Sequence, residues 1–127
     1  MSGLLDTMPF ASGLGLAVDA AAPEGVRGGL EFRPELCTAG GVLHGGALMA
    51  AADSLGAICA FLNLPPGAST ATIESKTNFF RAVRGGRVHA VSRPLHVGRT
   101  SIVVQTELSD DDGRPVALVI QTQAVVA

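Results

Sequence analysis

The chain contains neither tryptophan nor tyrosine, and phenylalanine supplies all of its aromatic side chains. It also lacks a cluster of lysine or arginine, and its formal net charge is -2. Proteins that bind nucleic acids usually offer a basic surface and aromatic side chains on which bases stack. The composition therefore argues against a nucleic-acid partner.

Cysteine is equally scarce, with only Cys37 and Cys59 in the chain. Two cysteines give no disulfide framework, and neither has the spacing of a metal ligand, so we expect both to be structural. The three histidines also lack metal-ligand spacing, and no Walker loop, G-x-G-x-x-G fingerprint or G-x-S-x-G elbow is present. We therefore expect no metal and no cofactor.

A long uninterrupted hydrophobic run is missing too. The most apolar stretch, residues 47–64, is broken by Asp53 and Ser54 and is rich in alanine, which is typical of a buried helix and not of a membrane span. The start of the chain does not resemble a signal peptide. We expect a protein of the cytoplasm without a membrane partner.

The chain does have an apolar composition, with 47% hydrophobic and 16% charged residues among 127. This length fits one domain over residues 1–127, and no repeat or linker divides it. So much apolar surface suggests that part of it is buried between subunits. We therefore expect a homo-oligomer.

Hydrophobic periodicity predicts an α+β fold with segregated elements. A short helix and a short strand are expected near the N-terminus, at residues 4–10 and 14–18. A half-buried strand at residues 26–32 precedes a helix at residues 44–62 that is apolar on all sides. Four further strands are expected at residues 70–80, 87–97, 100–108 and 116–126. The alternation in the second of these puts His89 and His96 on opposite faces.

The glycine-rich segment before the helix is the first feature with chemical content. Gly45 and Gly46 follow His44 at the predicted helix start, where backbone N–H groups are unsatisfied and carry partial positive charge. Such N–H groups can stabilise an oxyanion in acyl transfer. The glycine pair alone is explained more simply by a tight entry turn or close packing.

Asp53 is the second feature, because alanines precede it and no lysine or arginine lies within a helical turn. An unpaired buried carboxylate is costly, so Asp53 is either functional or hydrogen-bonded for structural reasons. His44 and Asp53 lie nine residues apart, half a turn out of phase and about 13 Å along the axis of a helix. They could meet if the chain folded back, or across the twofold axis of a dimer.

The order of these motifs resembles a known family. Leu-His-Gly-Gly at residues 43–46, Asp53, Thr-x-Glu-x-x-x-Asn-Phe-Phe-Arg at residues 72–81 and Gly-Arg-Thr at residues 98–100 are similar to hotdog-fold thioesterases of the phenylacetate-degradation and 4-hydroxybenzoyl-CoA types. The resemblance runs from about residue 25 to the C-terminus. It implies a five- or six-stranded antiparallel sheet wrapped around one long central helix, in a dimer or dimer of dimers. It also implies hydrolysis of an acyl-CoA thioester to free acid and CoA.

The same resemblance implies roles for individual residues. It makes Asp53 the nucleophile or general base, acting across the dimer interface, and Gly45 the amide donor to the thioester carbonyl. It also gives catalytic positions to His44 and Thr72. The implied substrate-binding positions are Gly46, Thr38, Arg99, Thr100 and Phe79.

One of these positions departs from the family pattern, because Thr38 stands where some relatives carry a carboxamide. A single hydroxyl cannot reproduce the hydrogen bonds of an amide. Met49, Leu55 and Phe80 join Phe79 as candidates to line the acyl pocket.

Two other functions stay open from the sequence. One is a hotdog hydratase or dehydratase that acts on acyl thioesters, in which a histidine would be central. The other is a non-catalytic module that binds acyl-CoA. Asp53 argues against the second, since a binding module does not need the carboxylate.

Overall fold

A six-stranded antiparallel sheet packs against one long helix in the computed structural model, which describes residues 2–127. The helices are α1 (Ser2–Leu5), α2 (Pro9–Leu14) and α3 (Gly45–Phe61), and a 3-10 turn covers Pro34–Leu36. The strands are β1 (Leu16–Ala22), β2 (Gly25–Glu31), β3 (Cys37–Thr38), β4 (Val42–Leu43), β5 (Ser69–Phe79), β6 (Arg87–Val97), β7 (Ser101–Ser109) and β8 (Pro115–Val126).

The large sheet has the order β1-β2-β6-β7-β8-β5, while β3 and β4 form a separate small hairpin. Helix α3 contacts all six strands of the large sheet, so the core lies between the helix and one sheet face. Leu30, Leu55 and Ile102 are among its largest fully buried side chains. The predicted α+β architecture, with one central helix, is confirmed.

Helix α3 begins where its sequence supplies an N-cap. The imidazole Nδ1 of His44 accepts a hydrogen bond of 2.7 Å from the N–H of Gly46, which satisfies one of the free amides of the first turn. The helix ends at Phe61, shortly before Pro65 and Pro66. In the described part of the chain, no helix is long and apolar enough to cross a membrane.

Only one side of α3 is covered by the sheet of its own chain. Ala52, Leu55 and Cys59 are fully buried against it. The opposite side carries Met49, 40% exposed, and Phe61, 57% exposed. An apolar stripe on the central helix is therefore left open in the single chain.

The N-terminal prediction is wrong in detail, since residues 2–22 form two helices and a longer strand. Pro9 starts α2 as its first residue, where a missing N–H costs nothing. Gly15 then ends that helix in the left-handed conformation, with φ of 87°. Strand β1 follows at Leu16–Ala22.

The prediction that His89 and His96 face opposite sides of β6 is also wrong. An irregularity between Pro94 and His96 inserts one residue into the pairing with β7. His96 then pairs with Val103, beside the fully buried Val104 that faces the core. Because an extra residue reverses the alternation, both histidines lie on the outer face.

Candidate active site

Asp53 lies in the third turn of α3, on the side that its own sheet leaves exposed. Its Oδ1 accepts a hydrogen bond of 3.1 Å from Nε2 of Gln121 and a longer one of 3.4 Å from the hydroxyl of Thr72. The sequence predicts that no lysine or arginine within a helical turn pairs with Asp53, and it leaves a hydrogen-bonded carboxylate open. The structure supplies neutral partners from β5 and β8.

A second glutamine extends this arrangement. Nε2 of Gln123 donates to Oγ1 of Thr72 at 2.8 Å, so the Thr72 hydroxyl accepts from Gln123 and is free to donate its own hydrogen to Asp53. Gln121 and Gln123 are 0% and 1% exposed. These four side chains, which we call the Asp53 network, form a polar island between α3 and the edge of the sheet.

A bulge in β5 positions Thr72. Thr72 pairs with Gln123 and Glu74 pairs with Thr122, so Ile73 is the extra residue. The bulge separates Thr72, which joins the Asp53 network, from Glu74, which accepts a hydrogen bond of 3.0 Å from Thr122 on the other face. Bulges occur often beside active sites because they redirect a side chain.

The start of α3 offers a free amide. The N–H of Gly46 is bound by His44, and none of the hydrogen bonds described for residues 2–127 uses the N–H of Gly45. As the first helical residue, Gly45 has no acceptor within the helix. Because His44 Nδ1 accepts a hydrogen bond, a neutral imidazole there carries its hydrogen on Nε2.

Phe79 covers the same helix start. A Cβ built on Gly45 would lie 3.0 Å from Cζ of the Phe79 ring, so a larger residue would have to displace the ring. Thr72 contacts Asp53 and Phe79 contacts Gly45, which means that β5 runs antiparallel to α3. Within one chain, the free amide and the carboxylate thus lie at opposite ends of this strand.

The comparisons with known proteins decide the family. Residues 40–117 match the model of the thioesterase superfamily. The chain belongs to the thioesterase superfamily. Its membership confirms the resemblance to hotdog-fold thioesterases and the predicted hotdog fold, with six strands around one helix.

Individual thioesterase-superfamily relatives agree. The chain is 36% identical over 114 residues to Rv1847 of Mycobacterium tuberculosis, a provisional esterase by name, with 87% of this chain and 81% of the relative covered. It is similar to a crystal structure of a mutant of thioesterase PA1618 from Pseudomonas aeruginosa, with a TM-score of 0.93, 32% identity and coverage of 98% and 92% of the two chains. It is also 38% identical over 74 residues to the 1,4-dihydroxy-2-naphthoyl-CoA hydrolase of Escherichia coli, over 58% of this chain and 54% of that protein. The prediction of an enzyme that hydrolyses thioesters is confirmed at the level of this family.

The other predicted site residues lie at two ends of the thioesterase fold. Thr38 is exposed in the β3–β4 hairpin, next to the start of α3, where the His44 N–H donates to Leu36 at 2.9 Å. Arg99 and Thr100 lie in the turn between β6 and β7. The carbonyl of Thr100 accepts from Val125 at 3.0 Å, so this turn adjoins the end of β8.

An apolar cavity of about 330 Å³ adjoins the exposed side of α3. Its lining includes Leu4 and Met8 from the N-terminal segment and Ala57, Ile58 and Phe61 from the helix. Ala57 lies four residues after Asp53 and is therefore its neighbour on the helix surface. The cavity begins one turn beyond the carboxylate.

The predicted lining residues fare differently. The prediction that Leu55 lines the acyl pocket is wrong, because Leu55 is 0% exposed and faces the sheet. Phe79 and Phe80 line another cavity, of about 290 Å³, together with Gly45 and Leu48 at the helix start. Among residues 2–127, no group of three or more His, Cys, Asp or Glu side chains could hold a metal ion.

The sequence analysis did not predict the roles of Gln121 and Gln123, or of Gly56, which the Gln121 amide contacts. The available signal was a pair of glutamines two residues apart within an apolar strand. Alternation places such a pair on one face of the strand, but it does not tell which face is buried.

Proposed function

We propose that this protein hydrolyses an acyl-CoA thioester to the free acid and CoA, with Asp53 as nucleophile or general base and the Gly45 N–H polarising the thioester carbonyl. The observation that carries the proposal is the carboxylate held through Oδ1 by Gln121 and Thr72 on the open side of the central helix. Membership of the thioesterase superfamily supports it.

The chemistry needs few groups. The carbonyl oxygen becomes negative as the carbon turns tetrahedral, and an N–H at a helix start stabilises that charge. The thiolate of CoA then leaves, and because a thiol has a pKa near 8.5 it needs no strong acid to do so. Asp53 either attacks the carbon, giving an anhydride that water opens, or takes a proton from the attacking water.

The active unit is a dimer in this proposal, or a dimer of dimers. Gly45 and Asp53 lie eight residues apart, which is about 12 Å along the helix axis. The exposed stripe of α3, with Met49, Asp53 and Phe61, is suited to cover the same stripe of a second copy. A twofold contact of this kind repeats each pairing and creates two equivalent sites.

The substrate follows from the two ends of the site. The apolar cavity beyond Asp53 is suited to the acyl group, and the exposed turn with Arg99 and Thr100 to the nucleotide of CoA. His44, Thr38, Gly46 and Phe79 surround the carbonyl end in this assignment, which the family resemblance supports. The similarity to a hydrolase of an aromatic acyl-CoA makes aryl substrates the first to test. The comparisons do not favour a hydratase or a binding module.

The test is release of free thiol from aryl, short-chain and long-chain acyl-CoAs. Asp53→Asn and Asp53→Ala should slow turnover about a hundredfold or more, as expected for loss of a general base. Glu24→Gln, on the turn between β1 and β2, is the control for removing a carboxylate elsewhere. Wild-type protein that cleaves none of the panel contradicts the acyl-CoA substrate, and full activity in Asp53→Asn contradicts the role of the carboxylate.

A further inference from the structure

Gln121 is a fully buried glutamine whose two amide atoms have different environments. Its Nε2 donates to Asp53, while its Oε1 has no hydrogen-bond partner among the described residues. A buried polar atom without a partner costs free energy, so the glutamine is not explained by stability alone. An apolar side chain of similar volume would fill the same space without that cost.

Helix α3 is built to admit this amide. Gly56 lies in the helix interior, where glycine is less favourable than alanine. A Cβ at Gly56 would overlap Oε1 of Gln121, which must then move. The glycine thus allows the amide to sit between helix and sheet, at a second cost to stability.

The amide orientation follows from the carboxylate. Rotating the amide by half a turn would bring Oε1 to Asp53 and set two acceptors against each other. The ion pairs described for residues 2–127 all lie elsewhere, so no cation of this chain competes for Asp53. Gln121 is therefore the nearer of two neutral donors that hold Oδ1.

We propose that Gln121, seated against Gly56, is a positioning residue for the hydrolysis. It fixes Oδ1 of Asp53 so that Oδ2 faces the thioester carbon or the attacking water. Gln123 acts in the same direction through Thr72, whose hydroxyl it orients. The inference rests on the proposed role of Asp53 and adds the groups that aim it.

The test compares kcat, KM and the pH dependence of kcat/KM in variants at this position. Gln121→Met keeps the volume but removes the donor, and we expect kcat to fall about tenfold with KM changed less than about threefold. Gln121→Glu sets a second carboxylate against Asp53, and the half-maximal pH on the acidic limb should rise by about one unit or more. Thr106→Val is the control, since it removes a buried hydroxyl that pairs with Ser92 at 2.6 Å, and the profile should stay as in wild type.

Gly56→Ala keeps the side chains of Asp53 and Gln121 and displaces only the Gln121 amide. It should therefore reproduce the kcat loss expected for Gln121→Met, and it tests the inference even if Gln121→Met folds poorly. Wild-type kcat and an unshifted acidic limb in folded Gln121→Glu and Gly56→Ala would overturn the inference. If those two variants behave as wild type while Asp53→Asn is inactive, the proposed function stands and only the positioning role of Gln121 fails. If Asp53→Asn is fully active, the proposed function fails first.

Discussion

A mixing experiment between two inactive variants tests whether the site is shared between two chains. The first variant is Asp53→Asn, which removes the carboxylate. The second is Gly45→Pro, which removes the N–H at the first position of the helix, where proline is favoured, and also brings a Cβ against the Phe79 ring. Gly45→Ala, which meets the same ring but keeps the N–H, is its matched control and should stay active. The preceding His44 already has φ of -63° and ψ of 134°, the extended conformation that a following proline requires.

The distances within the helix give the expectation. An N–H donor lies about 3 Å from the carbonyl oxygen, and a nucleophile starts about 3 to 3.5 Å from the carbon. With a carbonyl bond of about 1.2 Å, the amide and the attacking oxygen can be at most about 8 Å apart. Gly45 and Asp53 of one chain are separated by about 12 Å along the axis. A single helix therefore cannot offer both groups to one thioester.

In a mixed dimer of the two variants, one site combines an intact Asp53 with an intact Gly45, and the other site lacks both. Random exchange between equal amounts makes half of the dimers mixed. Thiol release should then recover to about a quarter of the wild-type rate, from variants that are each reduced about a hundredfold or more. The two variants are unfolded together in urea and refolded so that their chains exchange. The rate of thiol release is then measured as a function of the time allowed for exchange.

A matched control mixes Asp53→Asn with the double variant Asp53→Asn/Gly45→Pro, which leaves no intact site in any dimer. No recovery is expected there. If the first mixture gives no more than the mean of its components while the chains exchange, the shared site is refuted. If Gly45→Pro alone remains fully active, the amide is not the oxyanion donor.

Four further results are expected from the same structure. Gly56→Ala should lower the free energy of unfolding by about 2 kcal/mol in the wild type, because the new Cβ overlaps the Gln121 amide, but should raise it by up to about 1 kcal/mol in Gln121→Ala, where that overlap is gone. Urea denaturation at fixed protein concentration measures both changes, and additive effects of the two substitutions would contradict the close contact between Gly56 and Gln121. His44→Ala should cost about 1 kcal/mol through loss of the N-cap, and His44→Asn should restore it, because asparagine caps equally well. Burial raises the pKa of the Cys59 thiol to about 11, so this cysteine should resist a thiol reagent at about pH 8 until the protein unfolds. A hydrogen bond from His89, a backbone N–H and the charge of His89 lower the pKa of Asp111. The stabilising effect of the ionised carboxylate is present above its ordinary pKa and is lost as the pH falls through the lower folded value, so Asp111→Asn should be less stable than wild type near neutral pH, and urea denaturation should show this difference shrinking as the pH is lowered.

The sequence predicted the central elements closely because their ends carry strong local signals. Residues 87–97 were predicted as a strand and form β6 with those bounds, and the helix predicted at residues 44–62 runs over Gly45–Phe61. Prolines at residues 65 and 66 stop that helix in any context. The β3–β4 hairpin could not be predicted in this way, since strands of two residues show no alternation. Its turn does use Gly40 and Gly41, with φ of 88° and 73°.

The polar partners of Asp53 could not be derived in the same way. Both faces of β8 are rich in apolar residues, so alternation gives its period and leaves open which side is buried. Gln121 meets Asp53 only because β8 lies between β7 and β5 and because α3 has one particular rotation over the sheet. Both facts depend on contacts between residues far apart in the chain. The bulge at Ile73, which places Thr72, depends on pairing of the same kind.

The exposed stripe of α3 relates the proposed shared site to the buried glutamines Gln121 and Gln123. In a single chain Asp53 is exposed, so water can solvate it and two weak neutral donors matter little. A second copy that covers Met49 and Phe61 would also remove much of that water, and an unsolvated carboxylate needs hydrogen-bond partners to remain charged. Gln121 donates to Asp53 from the buried face of β8, and Thr72 donates from the edge strand β5. In the proposed dimer these two donors would hold a carboxylate that water no longer solvates, which would account for buried glutamines in a strand otherwise rich in valine and alanine.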